Sequence, residues 1–136
     1  MRTIIFRGKC VPDSRYAGEW VEGGCVQCEK GGDVLIISAY TDNCTNTYHV
    51  IPETVGQFSG MLDKNGKEIY EGDIVKVRIT DARFKANPKF KNSVVSYDER
   101  NGRFSAGFFD CFRSARLEVI GNIHDNPDIL KGGGDD

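Results

Sequence analysis

The chain has 136 residues and a formal net charge of −2, with 39% apolar and 28% charged residues. That length suits one domain able to bury roughly two-thirds of its surface on folding, and the composition excludes a chain that is disordered throughout. The slight acidity excludes a global attraction to nucleic acid or to acidic membranes.

Sixteen glycines point to turns and strands, because glycine weakens a helix interior by about 1 kcal/mol relative to alanine. No apolar run approaches the ~20 residues that span a bilayer. Met1 to Arg7 lacks the apolar core and cleavage site of a signal peptide, so a cytosolic protein is expected. The five cysteines, Cys10, Cys25, Cys28, Cys44 and Cys111, are an odd number. They cannot form a closed intramolecular disulfide framework, and in the cytosol they are expected to stay reduced.

In chain order, Thr3–Arg7 is a short β-prone run with Ile4 and Phe6 on one face. Pro12–Gly18 is a polar loop. The β-formers from Trp20 to Val26 and from Val34 to Ile37, separated by Lys30-Gly31-Gly32-Asp33, suggest a hairpin from Trp20 to Ser38. Gly23-Gly24 weakens its first strand and signals a bulge. Asp42–Thr47 is a polar loop, Tyr48–Ile51 a strand, and Pro52–Val55 one turn of helix, with proline where no amide donor is needed.

The stretch from Phe58 to Val77 carries the strongest local signals. Asp63-Lys64-Asn65-Gly66 and Glu71-Gly72-Asp73 are turns. After the second, Val75, Val77 and Ile79 alternate with Lys76 and Arg78, the period of a half-buried strand. Asp81–Asn92 differs in composition: it is basic and aromatic and holds Pro88, which argues for an excursion from the sheet. Ser93–Tyr97 and Arg103–Phe109 flank a loop ending in Asn101-Gly102, a hairpin signal. Leu117–Ile123 is a last strand and Asp128–Leu130 a docking segment. The tail 131–136 buries nothing and is expected to fray.

The expected fold is mainly β, one domain over 1–130. Its hairpins build small curled antiparallel sheets or an SH3-like barrel with at most short helical turns. Residues 81–103 hold six basic and three acidic side chains, whereas 104–136 hold three basic and six acidic. Such asymmetry favours contacts between subunits.

Several segments together resemble one family. They are Ile5–Lys9, Gly18–Val21, Val50–Phe58, Asp63–Val75 and Glu118–Pro127, and in this order they resemble the YopX family of small phage and prophage proteins. The resemblance runs from Thr3 to Leu130. It implies a phage or prophage origin, a bacterial cytosolic protein and self-association, and it carries over no established biochemical activity. Accounts of the family as largely helical conflict with the glycine turns and alternating apolar residues of this chain, which require strands. Cys25 and Cys28 stand where the family more often has aromatic or aliphatic strand residues, so thiol chemistry there would be peculiar to this protein.

Four candidate sites follow, each beside its plainer reading. Cys25-Val26-Gln27-Cys28 has a metal-ligand spacing, and only Cys10, Cys44 and His49 could complete a zinc set. In a strand the two thiols point to opposite faces, so they read better as unpaired thiols. Glu68, Glu71 and Asp73 cluster near Tyr70 and could move protons or hold a cation. The plainer reading has Asp73 accepting turn amides and the glutamates solvated. His124, beside Asp125, could act as a base, but no nucleophile stands near it in sequence.

The fourth candidate is the basic and aromatic series Arg83, Phe84, Lys85, Lys89, Phe90, Lys91, Arg100 and Arg103. Its cations could neutralise phosphates while phenylalanines, with Tyr97, stack on unpaired bases. Otherwise the phenylalanines anchor a loop and the charges face water. The resulting expectation is a phage accessory protein that is not an enzyme and has no cofactor. It acts through protein contacts, as a homo-oligomer or on a phage or host partner. The exposed-looking aromatics Trp20, Phe84, Phe90, Phe108, Phe109 and Phe112 would serve those contacts. Nucleic-acid binding by 83–103 is the alternative, and a metal or enzymatic role at Cys25 and Cys28 ranks below it.

Overall fold

A computed structural model describes residues 3–41, 44–79, 89–106 and 117–131. The chain packs as two compact units, Met1–Phe58 and Ser59–Asp136. Its strands form small antiparallel sheets, and none of the described strands closes a barrel. The long alternating runs expected from the sequence are therefore strands. Among the described residues the helical part is confined to a 3-10 turn at Pro52–Thr54 and a short helix α1 at Asp128–Lys131.

In the first unit, β1 (Phe6–Lys9) pairs with β2 (Trp20–Gly23). On its other side β1 meets Gly56 and Gln57 at the start of β6 (Gly56–Leu62). A three-stranded sheet runs β3 (Cys25–Cys28), β4 (Val34–Thr41), β5 (Cys44–Val50), with β4 in the middle. Cys10, Ile36 and Val50 form the centre of this unit's core. Leu35 and Ile36 are both buried, so β4 is covered on both faces. The Thr54 hydroxyl donates to Ile51 O at 2.6 Å and accepts from the Lys9 amide at 2.9 Å, tying the 3-10 turn to the end of β1.

The expected hairpin from Trp20 to Ser38 is shorter than its pattern suggested. Trp20–Gly23 leaves for β1, and only Cys25–Cys28 pairs with β4. The chain changes partners at Gly23-Gly24, where the sequence signalled a bulge. The first strand begins and ends later than expected, because Gly8 and Lys9 also pair with β2.

In the second unit, a tight turn at Asp63–Gly66 joins the end of β6 to β7 (Glu68–Tyr70). A four-stranded sheet runs β10 (Arg103–Ala106), β9 (Lys89–Asp98), β8 (Asp73–Ile79), β11 (Leu117–Asn122). Ile69, Val75, Val77, Val95, Ala106 and Leu117 fill the core on one side of it. The excursion expected over Asp81–Asn92 gives way before its end. Lys89–Asn92 pair with Lys76–Ile79, while Asp81–Pro88 lie outside the described residues. At the far end of β9, Asp98 accepts the Arg100 amide at 3.0 Å and the Asn101 side-chain amide at 2.7 Å. Gly102 takes φ +65°, as the Asn-Gly hairpin signal requires.

β11 carries a bulge between Val119 and Gly121. There Asn126 packs on the glycine and accepts the Asn122 amide at 3.3 Å. A Cβ on Gly121 would stand 2.7 Å from Asn126 Oδ1 and 3.0 Å from Ile129 Cδ1. Gly121→Ala is expected to lower stability by about 1–2 kcal/mol, since the obstacles are side chains that can shift. Urea denaturation checks this, and an unchanged midpoint would show that the loop yields freely.

Candidate functional site

The described members of the basic and aromatic series do not share one surface. Arg83, Phe84 and Lys85 lie outside the described residues, as does the side chain of Lys89. Phe90 and Lys91 open β9, whereas Arg100 lies in the hairpin turn and Arg103 pairs with Asp98 at the strand's other end. Lys91 and Asp98 are seven residues apart on an extended strand, about 23 Å at ~3.3 Å per residue. Phe90 and Lys91 also face opposite sides of the sheet, because neighbours in a strand alternate. Residues adjacent in sequence are thus split between two ends and two faces.

The sheet instead gathers a different set around Phe90. Arg78 is its cross-strand partner, and the next pair is Lys76 with Asn92. The Lys76 ammonium lies 4.8 Å from the centre of the Phe90 ring. On the other side of β8, Lys76 faces Glu118, and the Lys64 ammonium reaches that carboxylate at 3.3 Å. Lys76 and Arg78 were legible only as the polar half of an alternating strand. Their chemistry emerges once β9 brings an aromatic ring opposite Arg78 and within reach of Lys76.

The cysteine pair behaves as the strand period demands. Cys25 and Cys28 are the two ends of β3, both exposed and three positions apart, hence on opposite faces. Cys10 cannot join them as a ligand from the surface, being 0% exposed in the core of its unit. Burial, and then the nearby Glu19 carboxylate, push its thiol pKa up. A thiol held protonated is a poor ligand and nucleophile. The side chain of Cys44, and the whole of Cys111, fall outside the described residues. Among the described residues no three histidine, cysteine or acidic side chains converge on a metal position.

His124 and the acids around Tyr70, separate candidates in the sequence, come together. Asn122 pairs with Asp73 across β11 and β8. The Ile123 amide donates to Gly72 O at 2.9 Å. A Cβ on Gly72 would lie 3.6 Å from His124 Nε2, so the imidazole rests against the Glu71-Gly72-Asp73 turn. Asp73 is 1% exposed, and its Oδ2 accepts the Tyr70 amide at 2.8 Å. Such a carboxylate is committed to the backbone, as the plainer reading expects. His124 is positioned by Asn122 Oδ1, which accepts the His124 and Asp125 amides at 3.0 and 2.9 Å.

His49, the other histidine, opens onto a cleft of 220 Å³ in the first unit, with Asp13 and Asp33 on its walls. An adjoining cleft of 210 Å³ shares Asp13 and His49 and adds Tyr16 and Tyr48. The two tyrosine rings meet edge to face at 5.3 Å.

Of the aromatics singled out in the sequence as contact residues, only Trp20 and Phe90 lie among the described residues. Trp20 is half-buried, with the Arg7 guanidinium 4.9 Å from its ring. Phe90 is half-buried as well. Phe108, Phe109 and Phe112 lie outside the described residues. Among the described residues the exposed rings are Tyr16 and Tyr97, and Tyr97 is 47% exposed. It packs edge to face on Phe104, its cross-strand partner, at 5.1 Å.

No helix among the described residues is long and apolar enough to cross a membrane. Among curated proteins, no sequence matches this chain. A solved structure does: the crystal structure of protein EF1440 from Enterococcus faecalis covers 96% of this chain and 99% of its own, at TM-score 0.55 and 22% identity. At that identity the likeness speaks for the fold alone. The sequence profile described as YopX protein matches residues 14–131. This span includes the turn-rich stretch from Phe58 to Val77, the β9–β10 hairpin and the bulged β11, and the chain belongs to the YopX family.

Proposed function

We propose that this chain is a phage- or prophage-encoded accessory protein of the bacterial cytoplasm. It works without catalysis, through contacts with protein surfaces, and associates with itself. Family membership supports the phage origin. The observation that carries the contact reading is the Tyr97–Phe104 pair, half of it open to solvent, at the tip of the β9–β10 hairpin. β10 is the end strand of its sheet, and among the described residues nothing pairs with its outer edge. An edge strand offers unsatisfied amides and carbonyls to a second strand. Exposed aromatics beside it add apolar area, and aromatics are enriched at interface hot spots.

Mass measurement in solution over a range of concentrations tests the reading. The wild-type protein is expected to run as a dimer or larger closed assembly, and Tyr97→Ser to shift it toward monomer. A wild-type protein that stays monomeric at every concentration would remove self-association. The phage assignment expects the transcript to rise when a resident prophage is induced; a flat transcript would count against it.

A further inference from the structure

We propose that the outer face of the β10–β9–β8–β11 sheet binds single-stranded nucleic acid, with Phe90 as the stacking ring and Lys76 and Arg78 as the phosphate contacts. The site uses a surface distinct from the Tyr97–Phe104 edge and does not depend on self-association. It differs from the series read in the sequence, whose described members spread over two ends and two faces of the sheet.

The registers decide which side chains share this face. Val75 stands opposite Ser93 and Val77 opposite Lys91, all on the core side. The intervening pairs, Lys76 with Asn92 and Arg78 with Phe90, project the other way. Arg78 is exposed, while Lys76, Phe90 and Asn92 are half-buried. One aromatic ring thereby shares a face of the antiparallel sheet with two cations.

Glu118 is the acid opposite Lys76, and the Lys64 ammonium offsets its charge at 3.3 Å. Among the described residues of the patch, three cations (Lys64, Lys76 and Arg78) stand with one acid (Glu118), on a chain whose total charge is −2. Local charge governs where a polyanion lands. The ammonium over Phe90 also shows that the ring presents a π-face at which a partner can sit. An unpaired base takes that face while the lysine, on its flexible stem, moves onto the adjoining phosphate. Every base has a π-face, so recognition is tolerant of sequence. A duplex keeps its bases stacked away and offers the ring nothing.

Anisotropy titrations of labelled oligothymidylate and of a duplex of equal length, at two salt concentrations, test this. Single strands are expected to bind more tightly than duplex. For two phosphate contacts the slope of log affinity against log salt is expected near −1.4, at ~0.7 per contact on single strands. Phe90→Leu is expected to weaken single-strand binding about 5- to 150-fold and to leave the salt slope in place. Lys76→Gln and Arg78→Gln are each expected to flatten the slope by about 0.7.

Arg78 is exposed, so its variant keeps the test valid if Phe90→Leu disturbs the fold. Tyr97→Ser is expected to bind like wild type, which separates this site from the self-association surface. Equal affinity for duplex and single strand, with Phe90→Leu indifferent, would overturn the stacking. The absence of binding to either probe at the lower salt would overturn the site altogether.

Discussion

Gly23→Ala is expected to be the most damaging glycine-to-alanine change in the first unit, and Gly24→Ala, one residue on, to be nearly silent. A Cβ on Gly23 would meet the carbonyl oxygen of Ile37 at less than contact distance, with Ile37 C and Ile36 Cγ2 both at 2.8 Å. The obstacle is largely backbone, from β4, the middle strand of its sheet, and cannot rotate aside. Overpacking a fitted core costs about 1–3 kcal/mol, and a clash with central-strand backbone belongs at or above the top of that range. Neither Gly23 nor Gly24 has a positive φ, so the cause is space and not backbone freedom. A Cβ on Gly24 would meet nothing within 4 Å, and that change belongs within about ±0.5 kcal/mol, as for other open surface positions. Paired denaturation curves of the two alanine variants read the difference directly. Equal midpoints would mean that β2 does not pack on β4 at Gly23 as described.

Asp63 is the corresponding pivot of the second unit. Its Oδ1 accepts the Asn65 amide at 2.8 Å and the Lys67 amide at 2.9 Å, closing the turn between β6 and β7. Its Oδ2 accepts the Val119 amide at 3.0 Å, on β11. One carboxylate, 4% exposed, thus joins a turn to a strand more than fifty residues away in sequence. Burial works against its charge, but the three amide donors and the Lys67 ammonium outweigh burial and lower its pKa. Hydrogen bonds to a charged group are worth about 1.5–3 kcal/mol each. Water replaces those of the two exposed turn amides, so Asp63→Ala is expected to cost about 2–4 kcal/mol overall.

The linkage has a definite sign. A carboxyl whose folded pKa lies below its unfolded value near 3.8 contributes stability that is fully present above that unfolded value. This contribution is lost as pH falls through the folded pKa. Wild-type stability is therefore expected to decline in that acid window. Asp63→Asn, which cannot ionise and turns an amide toward one of the donors, should be less stable at neutral pH and show a flatter acid limb. Parallel acid limbs in the two proteins would show that Asp63 does not carry the linkage.

Both residues illustrate how far sequence reasoning reaches. Asp63-Lys64-Asn65-Gly66 is recognisable as a turn because aspartate and glycine satisfy its local backbone requirements. The bond to Val119 is not recognisable, since it depends on which strand returns beside the turn. Gly23-Gly24 advertises an irregular strand, but the two glycines look alike until β4 is placed against one of them. The candidate sites follow the same rule. Cys25 and Cys28 could be placed on opposite faces from strand period alone. Phe90, Lys76 and Arg78 could not be grouped, because their meeting depends on the β8–β9 register.

The amino-acid sequence by itself determined the mainly β character, most of the turns and the family, because those rest on local propensity, alternation and glycine placement. Tertiary structure alone decided which strands pair, which acid holds the second unit together and which cations share a face with an aromatic ring. Strand period tells each residue its side of a sheet, but its neighbours across the sheet come from long-range register, and no local pattern encodes that.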